Sequence, residues 1–314
     1  MLEDKKISVI IPAYNEEKLI SNVIETMPCF VDLIIIIDDC STDKTVEIIN
    51  SYKEKIKERL EIIVHNKNQG VGASIVSGYN MALNKKMDIM AVMAGDAQMD
   101  PNELKSIVSP VINNEADYVK GNRFYSGDAW KIIPKIRYFA GIFLSFLTKI
   151  VSGYWHIADS QCGFTAISSD ALRVLDFDNI YKRYGVPNDI LTKLNINNFK
   201  VKDVSIRPIY NQETSGIKYK TIIFTLSFLL CRLFFHRMWH KYVIRDFHPL
   251  ILFYLFGSVF FVTGVILGGI IYFVEGYLAI TLVVFCAVLF MSGIQFLLFA
   301  MWFDMEYNKP FCVK

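Results

Sequence analysis

Two stretches near the end of the chain, residues 249–273 and 278–303, contain no Asp, Glu, Lys or Arg. Each exceeds the ~20 residues that a helix needs to cross a hydrocarbon core. Buried helices of a soluble protein rarely run that far without a charge, so both stretches are read as membrane spans. The connection 274–277 contains no Lys or Arg, whereas Arg237, Lys241 and Arg245 precede the first span and Lys309 and Lys314 follow the second. The positive-inside tendency then puts both ends of the pair, and everything before it, on the cytoplasmic side. Residues 221–235 are apolar except for Arg232, and His236-Arg237-Met238-Trp239-His240-Lys241 follows. That pattern predicts an amphipathic helix at the bilayer interface with basic and aromatic anchors. A third apolar and aromatic stretch, 138–155, is short for a span and is expected to lie at a membrane surface or in a core.

The remaining residues are ordinary in composition. The chain has 314 residues and a net charge of +2, so its charge does not point to a nucleic-acid partner. Six scattered cysteines without a C-x-x-C pair argue against a zinc site or a disulfide framework and fit a reducing compartment. The N-terminus opens Met-Leu-Glu-Asp-Lys-Lys and lacks the apolar core of a secretory signal.

The first hundred residues alternate apolar runs with helical patterns. Apolar runs at 7–11, 33–37, 61–64 and from 89 read as strands, and helices are expected at about 15–27 with Asn15 as cap, at 44–59 and from 71. This alternation predicts a doubly wound α/β sheet, whose ligands bind outside the carboxyl ends of the strands. Those ends carry Asn15, Glu16, Asp38, Asp39, Asn66, Asn68, Asp96 and Gln98, more polar groups at one rim than turns alone require. Strand-end turn chemistry is the plainer explanation for each taken singly. No G-x-G-x-x-G follows the first strand, which disfavours a dinucleotide site. At the fourth strand end, Asp96, Gln98 and Asp100 alternate; carboxylate and amide oxygens so placed can hold a hard cation, and Asp100 can equally cap the helix that starts at Pro101.

Farther on, a short strand at 117–120 ends in Gly121-Asn122-Arg123, and Asp159-Ser160-Gln161 leads into a strand at 165–167. A helix is expected after Asn188-Asp189, an edge strand at 199–206, and a polar loop at 207–216.

Together these residues resemble glycosyltransferase family 2, with the GT-A fold, and within it the polyprenyl-phosphate glycosyltransferases of the dolichyl-phosphate mannose synthase type. The segment Pro12-Ala13-Tyr14-Asn15-Glu16 resembles the family's nucleotide-pocket motif, Asp38-Asp39 its second motif, and Asn68-Gln69-Gly70 its glycine turn. Gly95-Asp96-Ala97-Gln98 matches the region of its D-x-D metal motif, but Ala94 stands where many members have a carboxylate. The resemblance implies a catalytic domain over 1–216, a juxtamembrane helix over 217–246, a membrane hairpin over 247–306 and a tail over 307–314.

The resemblance implies that a polyprenyl phosphate oxygen attacks the sugar carbon of a nucleotide-sugar, with a UDP-sugar favoured over GDP-mannose. Mg²⁺ or Mn²⁺, held by Asp96 and Gln98, would neutralise the leaving diphosphate. Arg207 and Lys218 would close on that diphosphate, while Arg123, Arg137 and Ser160 would take the acceptor phosphate. Asp159 and Asp189 are the candidates for orienting substrate, Asp189 being also a candidate helix cap. Gly264, Gly268 and Gly269 offer a face for self-association. Two other functions are compatible with parts of the sequence: a polysaccharide synthase, disfavoured by the lack of a Gln-x-x-Arg-Trp motif, and a non-catalytic nucleotide-binding anchor subunit, favoured only by Ala94.

Overall fold

A computed structural model describes residues 2–56, 58–127, 129–209, 219–274 and 280–313. Its strands are β1 (Ile7–Ala13), β2 (Leu33–Asp38), β3 (Leu60–Val64), β4 (Ile89–Val92), β5 (Tyr118–Asn122), β6 (Thr165–Ser168), β7 (Val201–Ser205) and β8 (Cys312–Val313). They form one sheet in the order β3-β2-β1-β4-β6-β5-β7-β8. The first four are parallel, as the apolar runs predict. Past them the sheet is mixed, because β6 inserts antiparallel to both β4 and β5.

Helices cover both faces, which is why the central strands are apolar on both sides. On one face α1 (Ile20–Glu25), α2 (Thr45–Lys55) and α4 (Leu104–Ile112) pack Ile20, Val23, Ile49, Ile107 and Val111 on Val9, Ile11, Ile34 and Ala91. On the other, α3 (Val71–Asn84), α7 (Ser169–Val174) and α8 (Val186–Ile196) pack Tyr79, Leu172 and Leu191 on Ile10, Ile35, Met90 and Tyr118. Between β5 and β6 lie the short α5 (Ala129–Ile132) and the long α6 (Lys135–Ser152).

Three expectations change. The first helix begins at Ile20 rather than at an Asn15 cap, because Asn15 is left-handed (φ 55°) and its side chain serves another loop. The strand expected at an edge, β7, is covered on its outer side by the last residues of the chain: Val201 pairs with Cys312 and Lys202 with Val313. The third concerns the segment before the spans.

The chain divides into two compact units, residues 1–233 with 310–314, and residues 234–309. Helix α9 (Tyr219–Trp239) begins in the first unit and ends in the second, which continues through a π-helical turn, His240–Arg245, into α10 (Leu250–Val274) and α11 (Ile280–Asn308). Within each of Leu250–Phe273 and Ile280–Phe311, an 18-residue window has a mean hydropathy of 2.5 and is only 17% and 11% buried, respectively. They are long and apolar enough to cross a membrane, and their exposure is not that of soluble core helices. The two helices approach closely at Gly264 and Gly293, where a methyl group would come within 2.9 Å of Phe290 N and 2.4 Å of Phe261 N. Gly268 and Gly269 have open space beside them.

Arg237 and Lys241, expected as interfacial anchors, are fully buried. Arg237 forms a two-pronged pair with Asp304 of α11 (2.7 and 3.0 Å), and Lys241 donates to Asn308 at 2.8 Å. Tyr242 donates to Asp304 and accepts from Asn308 Nδ2 at 2.7 Å. The sequence pattern misled because Asp304 lies just past the uncharged run, and only the folded hairpin brings it to Arg237. His236, Trp239, His240 and Arg245 remain exposed.

Candidate functional site

The carboxyl ends of β1, β2 and β4 meet at one rim, and each is followed by a non-glycine residue in the left-handed region: Asn15 (φ 55°), Cys40 (φ 66°) and Ala97 (φ 54°). Such backbone is uncommon outside glycine and concentrates at functional loops. Polar contacts hold these loops. Asn15 N donates to Ser41 Oγ at 2.9 Å, Thr42 N donates to Asn15 Oδ1 at 2.8 Å, and Glu16 N donates to Thr45 Oγ1 at 2.8 Å. Asp38 accepts from Ser41 N at 2.9 Å through one oxygen, while its other oxygen is buried with no hydrogen-bond partner among the described residues. Tyr14 is half exposed beside them, with Pro12 and Ala13 beneath.

Gly95 brings the end of β4 against this rim: Gly95 N donates to Pro12 O at 3.3 Å, and a Cβ there would lie 3.5 Å from Glu16 Cγ. Asp96 follows, half-buried, with Oδ1 accepting from Gln98 N at 3.1 Å. Asp100 instead caps the turn Pro101–Glu103 by accepting from Asn102 N at 2.9 Å. The fold therefore brings Pro12–Glu16, Asp38, Asp96, Ala97 and Gln98 to one rim.

Other expected members are engaged within the protein. Asp39 is buried, accepts from Gln69 N (2.8 Å) and Gly70 N (2.7 Å), and lies 2.8 Å from His65 Nδ1. It shapes the β3–α3 loop, on which Asn68 is exposed. The small residues opening α3 make a close approach, but to residues 181–182 of the same chain. Gly72 N and Ala73 N donate to Lys182 O at 3.0 and 3.2 Å, and a Cβ on Gly70 (φ 96°) would meet that oxygen at 2.6 Å. Asp189 secures this segment: it is buried, accepts from Tyr181 N at 2.7 Å and pairs with Lys193 at 2.8 Å.

A second cluster lies at the ends of β5 and β7. Asp159 is fully buried and grips the guanidinium of Arg123, whose Nε and Nη2 donate at 2.7 and 3.0 Å. Ser160 is buried beside Ser145 of α6, with Ser160 N donating to Ser145 Oγ at 3.1 Å. Thr148, also on α6, donates to Asn188 at 2.9 Å. Helix α6 thus turns a polar face inward, while Ile136, Phe139, Phe143 and Phe146 are 82, 59, 64 and 48% exposed on its outer face. That is the reverse of a helix on a water-facing domain. Arg137 stands half-buried in its first turn. Arg207 follows β7; its backbone N–H donates to Glu103 at 2.9 Å and its side chain is exposed. Lys218 lies outside the described residues.

The sequence reading missed Lys120, Asn122 and Asp203. All three lie below the Arg123–Asp159 pair, and Lys120 and Asn122 are fully buried. The signal was a lysine inside an otherwise apolar strand, and an aspartate sharing the parity of Val201, the buried end of its strand. Burial lowers the Lys120 ammonium and pushes the Asp203 carboxyl up to about 6.

The donor chemistry at Asp96 and Gln98 is all oxygen, which suits a hard divalent cation completed by substrate phosphates. Among the described residues no cluster of three His, Cys, Asp or Glu side chains offers a self-sufficient metal cage.

Comparison with known proteins places these features. Residues 8–176 match the model of Glycosyl transferase family 2. A UDP-N-acetylglucosamine–dolichyl-phosphate N-acetylglucosaminyltransferase of Methanococcus voltae is 33% identical over 223 residues, 67% of this chain and 88% of that protein. A dolichyl-phosphate beta-glucosyltransferase of Trichomonas vaginalis is 26% identical over 257 residues, covering 76% of each. Glucosyl-3-phosphoglycerate synthase of Mycobacterium tuberculosis, solved with Mn²⁺, UDP and phosphoglyceric acid, shares the fold: TM-score 0.54 at 18% identity, over 74% of this chain and 78% of that one. By the family match and by that archaeal relative, the chain belongs to glycosyltransferase family 2.

Proposed function

We propose that this protein transfers a sugar from a nucleotide-sugar, a UDP-sugar by preference, to a polyprenyl phosphate at the cytoplasmic face of a membrane. The observation that carries this reading is α6: its inward polar face holds Ser160, while its outer face leaves Ile136, Phe139, Phe143 and Phe146 exposed, as a face that meets lipid would. Two arginines suited to grip a phosphate stand with it: Arg137 in the first turn of α6, and Arg123, held by Asp159 next to Ser160 in the chain. The relatives named for dolichyl-phosphate substrates, and the UDP in the name of the archaeal one, support acceptor and donor.

The acceptor oxygen forms the new bond to the anomeric carbon as the bond to the diphosphate breaks. A phosphate is already ionised near neutral pH, so no side chain need take its proton. The task of the chain is to bring two anions together. The rim formed by Pro12–Glu16 and Asp38 binds the nucleoside, and the orphan oxygen of Asp38 provides an acceptor for a base or ribose donor. Asp96 and Gln98 would hold Mg²⁺ or Mn²⁺, which neutralises charge on the leaving diphosphate when bound. The Mn²⁺ and UDP of the mycobacterial structure support that assignment. With Ala94 offering no carboxylate, Asp96 and Gln98 are the side chains that would hold the cation. Arg207, just after β7, and Lys218 are the basic residues assigned to close on the diphosphate. Asp159 acts through Arg123, and Asp189 through the segment it holds against α3.

Residues 1–216 form the catalytic part, 217–246 the juxtamembrane part, 247–306 the hairpin and 307–314 the tail. Since β8 belongs to the catalytic sheet, the chain enters and leaves the hairpin on one side. Exposed Arg245 and Lys309 favour the cytoplasmic side. With Gly264 packed inside the hairpin, Gly268 and Gly269 remain for self-association.

The test is direct. Purified protein is incubated with radiolabelled UDP-N-acetylglucosamine, UDP-glucose or GDP-mannose, together with Mn²⁺ and dolichyl or undecaprenyl phosphate. Label in an organic-extractable product with a UDP-sugar is expected; no lipid-linked label with any donor would reject the reading.

A further inference from the structure

Below the Arg123–Asp159 pair lies a polar group without a part in the chemistry described so far. Lys120, Asn122 and Asp203 project from one face of the paired strands β5 and β7, with Lys120 opposite Asp203 in register. Tyr118 and Val201, two residues earlier on that face, sit in an apolar layer with Tyr154 and Ile157. Charge therefore begins where the sheet reaches the candidate acceptor site.

The bonds run between the two segments that carry the pair. Asp203 Oδ2 accepts from Asn122 Nδ2 at 2.9 Å and from Ala158 N at 2.7 Å. Asn122 lies just before Arg123, and its Oδ1 accepts from Phe124 N at 2.9 Å. Ala158 lies just before Asp159. Lys120 braces the far side of the loop by donating to Cys162 O at 2.7 Å.

This arrangement is unfavourable for the acid itself. The second oxygen of Asp203 is buried without a hydrogen-bond partner among the described residues. Burial raises its carboxyl against the pull of the Ala158 N–H and the Lys120 ammonium. The charged and titratable groups around it are Lys120 on β5, Arg123 after it, and His156, Asp159 and Cys162 on the segment leading to β6. A buried acid with one oxygen unsatisfied calls for a reason other than stability.

We propose that Asp203, working through Asn122 and Ala158, is the positioning residue of the acceptor site: it sets the spacing between the end of β5 and the 158–161 segment, and so the direction in which Arg123 meets an acceptor phosphate. This rests on the acceptor role given to Arg123 above. A guanidinium gripped through two N–H groups by Asp159 is held in one direction, so the frame behind it decides how it meets the phosphate.

Steady-state kinetics on the full-length protein test this, using undecaprenyl phosphate, Mn²⁺ and the nucleotide-sugar found in the screen above. Asp203→Ala is expected to raise the KM for undecaprenyl phosphate about tenfold, the scale of a sub-ångström to ångström misplacement, while the donor KM stays within about twofold. Asp203→Asn, whose single carbonyl oxygen can take both hydrogen bonds, is expected to restore the acceptor KM. Asn122→Ala should repeat the acceptor-selective rise from the other side. It carries the test should Asp203→Ala fail to fold, folding being read by near-UV circular dichroism and by binding of UDP with Mn²⁺. Arg123→Ala is the reference. If it leaves the acceptor KM unchanged, the acceptor reading itself falls. If it raises that KM while Asp203→Ala and Asn122→Ala change neither KM, or both KM values equally, the positioning proposal is overturned and the acceptor reading stands.

Discussion

Asp96 has one oxygen bonded to the backbone N–H of Gln98 and no second aspartate at position 94 to share a cation with. Replacing Asp96 by Ala is expected to lower kcat by about 10²- to 10³-fold, the scale of removing one electrostatic contact to a charge that develops in the transition state. Initial rates at saturating substrates with Mn²⁺, alongside an unchanged melting temperature, check this. Asp203 makes a different kind of statement. Its carboxyl is raised from 3.8 to about 6 in the folded chain, so ionising it opposes folding. The wild type loses this group's contribution as pH climbs from about 4 through about 6. Asp203→Asn does not titrate, so its stability relative to wild type is expected to grow by roughly 2 kcal/mol between pH 4 and pH 7 and then level off. Denaturation at several pH values reads that difference; a flat difference would show the carboxyl to be unperturbed.

Among the elements, α6 and α11 each carry polarity where a simple pattern would put apolar residues. On α6 the buried polar residues Ser145 and Thr148 bond Ser160 N and the Asn188 side chain, leaving phenylalanines outside. If those rings enter a bilayer interface, Phe143→Ser removes about 1.5–3 kcal/mol of burial. Binding of the domain face to vesicles, followed by fluorescence quenching from lipid-borne quenchers near Trp130, is expected to weaken about tenfold or more with no change in melting temperature. On α11, Asp304 is held at zero exposure by Arg237 and Tyr242. Asp304→Ala leaves a buried guanidinium unpaired and is expected to destabilise by about 3–5 kcal/mol, whereas the double change Arg237→Met with Asp304→Leu recovers most of that loss. Thermal unfolding in detergent separates the two outcomes.

At the scale of the whole molecule, the last strand is the most informative feature. Because Cys312 and Val313 join β7, the polypeptide returns to the sheet after two helices that are each long and apolar enough to cross a membrane, and two crossings would bring it back to the side it left. Cys29, exposed on the sheet domain, and a tag fused after Lys314 are therefore expected on the same face of the membrane. Impermeant thiol labelling and protease access in right-side-out and inverted vesicles should agree for both, and a split result would mean the hairpin does not span twice. The catalytic sheet itself has its parallel half where the apolar runs 7–11, 33–37 and 61–64 put it, since strands covered on both faces must be apolar along their length. The antiparallel insertion of β6 and the covering of β7 were not legible, because both depend on partners distant in sequence.

Local sequence was sufficient wherever a property accumulates along neighbouring residues. The uncharged length of the two spans, the strand–turn–helix alternation and the oxygen-rich strand ends with Asp38 and Asp96 are all such properties, and they carry the family. Tertiary structure alone decided which polar residues face a ligand and which face the protein. Asp39, Gly70 and Asp189 proved to be engaged by the chain's own backbone, while Lys120, Asn122 and Asp203 came together from strands some eighty residues apart. The physical reason is that a carboxylate or an amide reads the same in sequence whether its hydrogen bonds go to substrate or to a buried N–H; only the fold supplies the partner.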